Sequence, residues 1–153
     1  MGAKKLFGSG PLCFIAGVII IGAFYSFEYL FKIPKIPVSE FLATTIFVVA
    51  IALTFVLGIW GFLSLPVKKR GEELVTNKAF KYFRHPIYAA FLDFFVFGLG
   101  FYLKSFGILT AGIILIFICG KLVEKEENYL IKQFGKEYID YQKKTKKFIP
   151  RIY

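Results

Sequence analysis

Four apolar runs, at about 11–31, 40–65, 86–103 and 106–123, constrain this chain more than any other feature. A segment of that length lies in hydrocarbon only if its backbone N–H and C=O groups are paired within the segment, so each run is expected to be a helix. The two later runs are 18 residues each. At 1.5 Å per residue they rise about 27 Å, enough for a bilayer core near 30 Å when flanking side chains snorkel. Hydrophobic residues make up 57% of the 153-residue chain, with 20 Phe, which is far too apolar for a soluble domain of this size. The expectation is an all-α, polytopic, integral membrane protein with about four transmembrane helices and a cytoplasmic C-terminal amphipathic helix. A single domain spans 1–153, with two N-terminal spans in 1–65 and the functional core in 66–153.

The first apolar run is long enough to stay in the bilayer, so no separate signal peptide is expected. Leu6 stands where a myristoylation motif beginning at Met1-Gly2 needs Ser or Thr, and Arg151-Ile152-Tyr153 is not a prenylation signal. Cys13 and Cys119 both lie in apolar runs and His85 is the one histidine, so neither a disulfide framework nor a metal site is expected. The cysteines read as small packing residues.

The formal net charge of +10 invites a nucleic-acid reading, but its placement argues against one. Alternating the spans puts groups of two, six and nine Lys and Arg on one face and groups of two and one on the other. By the positive-inside rule both termini and the 66–85 loop are cytoplasmic, and the basicity serves topology and attraction to anionic lipid.

Pro34 and Pro37 mark a short outer loop, and Gly58 and Gly61 allow close helix approach. Pro86 fits the first turn of the third helix, where its missing N–H costs nothing. Arg84 and His85 then sit at the helix mouth, where the positive end of the dipole favours an anionic group. The connection Tyr102-Leu103-Lys104-Ser105-Phe106 permits only an antiparallel hairpin, which brings the 84–88 cluster to the same membrane face as Glu126-Glu127. Beyond Val123, the residues Glu127, Leu130, Phe134, Tyr138 and Tyr141 form one helical stripe, with Lys125, Lys132, Lys136 and Lys143 mostly on other faces. Gly135 is expected to break or kink that helix, which folds back over the bundle or anchors at the interface. Ionisable clusters beside hydrocarbon point to a functional site. The plainer alternative is that Arg84 pairs with Glu126 or Glu127 simply to close the bundle.

Across roughly Leu74 to Pro150 the chain resembles the isoprenylcysteine carboxyl methyltransferase family and related phospholipid methyltransferase-like membrane enzymes. The resemblance rests on Leu74-Val75-Thr76, Tyr82-Phe83-Arg84-His85-Pro86-Ile87-Tyr88, a hydrophobic hairpin, Glu126-Glu127-Asn128-Tyr129-Leu130-Ile131, then Phe134-Gly135-Lys136-Glu137-Tyr138-Ile139-Asp140-Tyr141 and Ile149-Pro150. It implies a membrane methyltransferase that uses S-adenosylmethionine and acts on a lipid or prenylated acceptor from the bilayer. Carried over residue by residue, it implies cofactor contacts from Leu74, Val75, Phe80, His85, Pro86, Ile87, Tyr88 and Glu126, with Arg84 and Glu127 as the candidate catalytic pair. Physically, Glu126 suits the cofactor ammonium, and Leu74 and Ile87 suit an adenine face. No GxGxxG occurs, so the soluble nucleoside-binding mode is unsupported.

Methyl transfer from a sulfonium to a carboxylate needs alignment and removal of water rather than acid–base help. An amine or thiol acceptor would need a base, for which Asp93, two turns into the third helix on the face of Pro86 and Ala89, is the candidate. Its plainer reading is a packing contact to Tyr or Lys. The chain departs from the family at Lys78, Phe80 and Ala90, and above all at Leu122, where the family carries an arginine expected to engage the substrate carboxylate. Lys121, about 100° around the helix, and Asp93 are the candidate substrate contacts; Arg151 is a further cation that could compensate. Two alternatives stand beside carboxyl methylation: a phospholipid N-methyltransferase, or a non-catalytic scaffold or small transporter with Glu28 and Asp93 along a polar path.

Overall fold

The computed structural model describes residues 8–65 and 72–149. The described residues are helical, with no strands. Ser9 and Pro11 open α1 (Gly10–Leu30). The loop after it, through Pro34 and Pro37, ends at Ser39, whose Oγ accepts the Leu42 N–H at 3.2 Å and caps α2 (Glu40–Ser64). A single turn, α3 (Ala79–Tyr82), precedes α4 (Pro86–Tyr102), which starts at the expected proline. Ser105 caps α5 (Phe106–Phe134) by accepting the Ile108 N–H at 3.0 Å. Gly135 ends that helix in the left-handed region at φ 55, which a side chain rarely adopts, and α6 (Lys136–Lys144) follows. The expected break at Gly135 is therefore found.

Three helices, α1, α2 and α5, are long and apolar enough to cross a membrane, and α4 is shorter. Within α4 the stretch Ala90–Val96 winds as a π-helix, which the apolar pattern gave no sign of. At 29 residues α5 rises about 43 Å, so its charged C-terminal part, beyond Val123, projects past a 30 Å hydrocarbon core. Large apolar side chains such as Leu12, Ile19, Phe41, Phe55, Val56 and Leu63 remain exposed on α1 and α2. A helix apolar on all sides yet so little covered by protein belongs in lipid.

Helix α1 packs on α5, α5 on α4, and α4 on α2. Cys13, Leu92, Leu115, Cys119 and Val123 lie in one core, joined by Leu57, Phe83 and Phe148. Both cysteines are buried and free, in keeping with a packing role. Gly98 lets α4 meet α2, since a Cβ there would overlap the Ala50 methyl. Of the two glycines marked for close approach, Gly61 faces Pro86, whereas a Cβ on Gly58 would meet open space. At the hairpin end the buried Glu28 accepts from the Ser105 hydroxyl and from the Gly107 N–H at 3.0 Å, and pairs with Lys35 at 3.4 Å. It thus places a negative charge at the positive end of α5.

At the opposite end the chain after α6 folds back. The Arg84 N–H donates to Lys146 O at 2.9 Å and the His85 N–H to Lys147 O at 3.1 Å. The Tyr141 hydroxyl donates to Phe80 O at 2.6 Å and Thr145 Oγ1 to Lys81 O at 3.3 Å. Tyr138 and Tyr141, on the expected stripe, are buried against the bundle. The sequence features at Met1–Leu6, in 66–71, and at Pro150 and Arg151 lie outside the described residues.

Candidate functional site

Topology brings the two charged clusters to one end of the bundle, and packing then sorts their partners. Arg84, at the turn into α4, donates from Nε to Glu127 Oε1 at 2.9 Å, and from Nη1 to the carbonyls of Gln142 at 3.0 Å and Thr145 at 2.6 Å. His85 Nε2 donates to the same Glu127 oxygen at 3.1 Å. The other oxygen, Oε2, accepts from Gln142 Nε2 at 3.3 Å and lies 3.7 Å from Lys147 Nζ. The Arg84 and Glu127 side chains are 9% and 6% exposed, so their charges meet out of water.

Glu127 lies on the part of α5 that projects beyond the apolar segment. Burial there pushes its carboxyl up, but the His85 hydrogen bond and the Arg84 charge outweigh burial and hold it below the usual glutamate range. Burial pushes the Tyr141 hydroxyl up, which keeps it protonated as the donor to Phe80.

Glu126, one residue earlier and about 100° around the helix, faces a different neighbour. Its Oε1 accepts the Tyr88 hydroxyl at 2.8 Å and the backbone N–H of Ser9. Ser9 Oγ also donates to Leu122 O at 3.1 Å. The start of α1 is thereby tied to α5 beside the carboxylate. Among the described residues both bonds go to Oε1, and Oε2 is an oxygen that can accept from a further donor, an ammonium among them. The His85 ring stands edge-on to Tyr88 at 5.5 Å and close to Phe148 at 6.1 Å, which roofs it.

The other expected residues are distributed as follows. Pro86 is buried against Gly61, and Ile87 is 49% exposed beside it. Leu74, Val75 and Phe80 are half-buried around the 72–78 loop. Lys121 is exposed and pairs with Glu124 at 3.3 Å, while Leu122 packs against the core. Asp93 is not gathered into this cluster. It lines a groove of about 330 Å³ between α2 and α4, and its buried Oδ2 lacks a hydrogen-bond partner. The expected packing contact to Tyr or Lys is thus not made at that oxygen: α2 and α4 carry no Lys, and the Tyr88 hydroxyl donates to Glu126.

Sequence reasoning missed Ser9, Gln142 and Thr145. Gln142 had a signal, since it lies four residues after Tyr138 on the buried side of α6. The Ser9 N–H and the Thr145 carbonyl had none, because a backbone group carries no residue-type signature.

Among known proteins, no family model matches this chain. A protein-S-isoprenylcysteine O-methyltransferase from Dictyostelium discoideum is 34% identical over 86 residues, which is 56% of this chain. The matched stretch spans 36% of that relative's length.

Proposed function

We propose that this chain transfers a methyl group from S-adenosylmethionine to an acceptor held in the membrane, an isoprenylcysteine carboxylate being the first to test. The observation that carries the reading is the Tyr88–Glu126 pair, at 2.8 Å, set beside the buried Arg84–His85–Glu127 cluster at the basic end of an apolar bundle. The likeness to a methyltransferase supports it.

When bound, the donor supplies an activated methyl group on a sulfonium. Glu126 Oε2 would hold its ammonium by a charge-assisted hydrogen bond, and the first-turn N–H groups of α4 would face its carboxylate. Leu74, Val75 and Ile87 would give apolar surface to the adenine, with Phe80 as the aromatic edge of the 72–78 loop. Pro86 holds the turn, and Tyr88 keeps Glu126 in place. Arg84 and Glu127, the pair expected from the sequence to be catalytic, act in this reading as positioning residues: they fix the turn into α4 against α6, so that His85, Ile87 and Tyr88 keep one arrangement. Alignment and removal of water then do the remaining work on a carboxylate nucleophile. Lys121, exposed on α5 next to Leu122, is the proposed cation for the acceptor. In this reading both termini and the 66–85 loop face the cytoplasm, and the acceptor reaches the site sideways from the bilayer.

The test is calorimetric binding of S-adenosylhomocysteine to detergent-purified protein, with Glu126→Ala and His85→Ala alongside. Glu126→Ala is expected to weaken binding at least about tenfold, the loss of one charge-assisted bond. A folded wild type that does not bind refutes the proposal.

A further inference from the structure

The motifs that carry the resemblance begin at Leu74, yet Glu126 also meets the start of α1. Gly8 adopts φ 53, a left-handed conformation that side chains rarely take. A Cβ added there would stand 2.7 Å from Glu126 Oε1, 2.8 Å from Cδ and 3.0 Å from Oε2. The backbone at Gly8 therefore lies over the whole carboxylate, and both its conformation and its close approach call for glycine. Ser9, 8% exposed, directly precedes α1, but its hydroxyl does not cap that helix. Its N–H goes to Glu126 Oε1 and its hydroxyl to Leu122 O, one turn earlier on α5. A Cβ on Gly10 would meet the Tyr88 hydroxyl at 3.8 Å, so residues 8–10 also lie against the second donor to that oxygen. The positive end of α1 favours a carboxylate at this place.

We propose that Gly8 and Ser9 are positioning residues for the ammonium of the methyl donor, an inference that rests on the methyl-transfer reading. The terminal torsion of a glutamate is broad, so its carboxylate has no single preferred orientation of its own. The Tyr88 hydroxyl holds Oε1 at one point, about which the carboxylate can pivot. The Ser9 N–H reaches the same oxygen from α1, and the Gly8 backbone lies on the carboxylate face. Together they set the carboxylate plane and give the lone pairs of Oε2 one direction. An acceptor oriented in advance binds a matching ammonium more tightly, because less freedom is lost on binding. Without these two residues the site would still offer apolar surface to a nucleoside but would hold its amino-acid part loosely. The start of α1 thus contributes selectivity to a site whose other residues come from α4, α5 and the 72–78 loop.

The test is calorimetry of the detergent-purified full chain with S-adenosylhomocysteine and with its analogue lacking the α-amino group. Wild type is expected to prefer S-adenosylhomocysteine at least about tenfold. Ser9→Pro removes the N–H and sets a Cδ against the carboxylate, and Gly8→Ala adds the overlapping Cβ. Each should bring the preference to within about threefold while holding the analogue as wild type does. Ser9→Ala, which returns the N–H without the hydroxyl, should restore the preference. Thermal midpoints check folding; should Ser9→Pro not fold, Gly8→Ala decides. A preference kept in Ser9→Pro or Gly8→Ala, or an equal loss of both ligands, overturns the inference and leaves the methyl-transfer reading standing. So does a wild type that binds the two ligands equally. A folded wild type that binds neither refutes that reading, and the inference with it.

Discussion

Replacing Arg84 by Met tests the clamp that ties α4 to α5 and α6. The change keeps most of the apolar stem and removes the guanidinium that contacts Glu127 at 2.9 Å and two carbonyls of the α6 region. Glu127, 6% exposed, then keeps its charge against His85 and Gln142, with Lys147 at 3.7 Å. Breaking one partner of a buried ion pair costs about 3–5 kcal/mol, to which the two freed carbonyls add. For a chain of this size that corresponds to a fall in thermal midpoint of roughly 10 °C. The assay is thermal unfolding in one detergent for Arg84→Met, Glu127→Met and the double variant. If the two side chains act as one unit, the double variant is less destabilised than the sum of the singles by about 2 kcal/mol. A loss under about 1 kcal/mol in Arg84→Met, or strict additivity, refutes the clamp.

The same cluster predicts acid sensitivity. The folded value of Glu127 lies below its ordinary 4.5, so its stabilisation is fully present above that pH and is lost as pH falls through the lower folded value. The difference in thermal midpoint between wild type and Glu127→Gln should therefore shrink as pH falls below 4.5; a gap that widens there contradicts this. Gly98→Val places methyl groups into Ala50 and should cost about 1–3 kcal/mol by overpacking, whereas Gly58→Ala, with open space around its Cβ, should be neutral or slightly stabilising in the same assay.

The sequence by itself determined the helices and where they stop. Apolar runs of membrane length, Ser39 and Ser105 as caps, Pro86 at a first turn and Gly135 at φ 55 are all local signals, each decided within a few residues of chain. The short hairpin before Phe106 also brought the 84–88 and 126–127 clusters together, because connection length leaves one arrangement. Tertiary structure decided which group meets which. Two adjacent glutamates are interchangeable in sequence, yet the 100° between them sends Glu127 to Arg84 and His85, and Glu126 to Tyr88 and Ser9. Glu28 and Asp93 are both acids within apolar helices. One finds the first turn of α5 beside it and the other finds a groove, and nothing in their flanking residues separates the two outcomes. Helix periodicity is a property of neighbours along the chain, whereas hydrogen-bond partners on different helices, far apart in sequence, depend on how packed helices are rotated against one another.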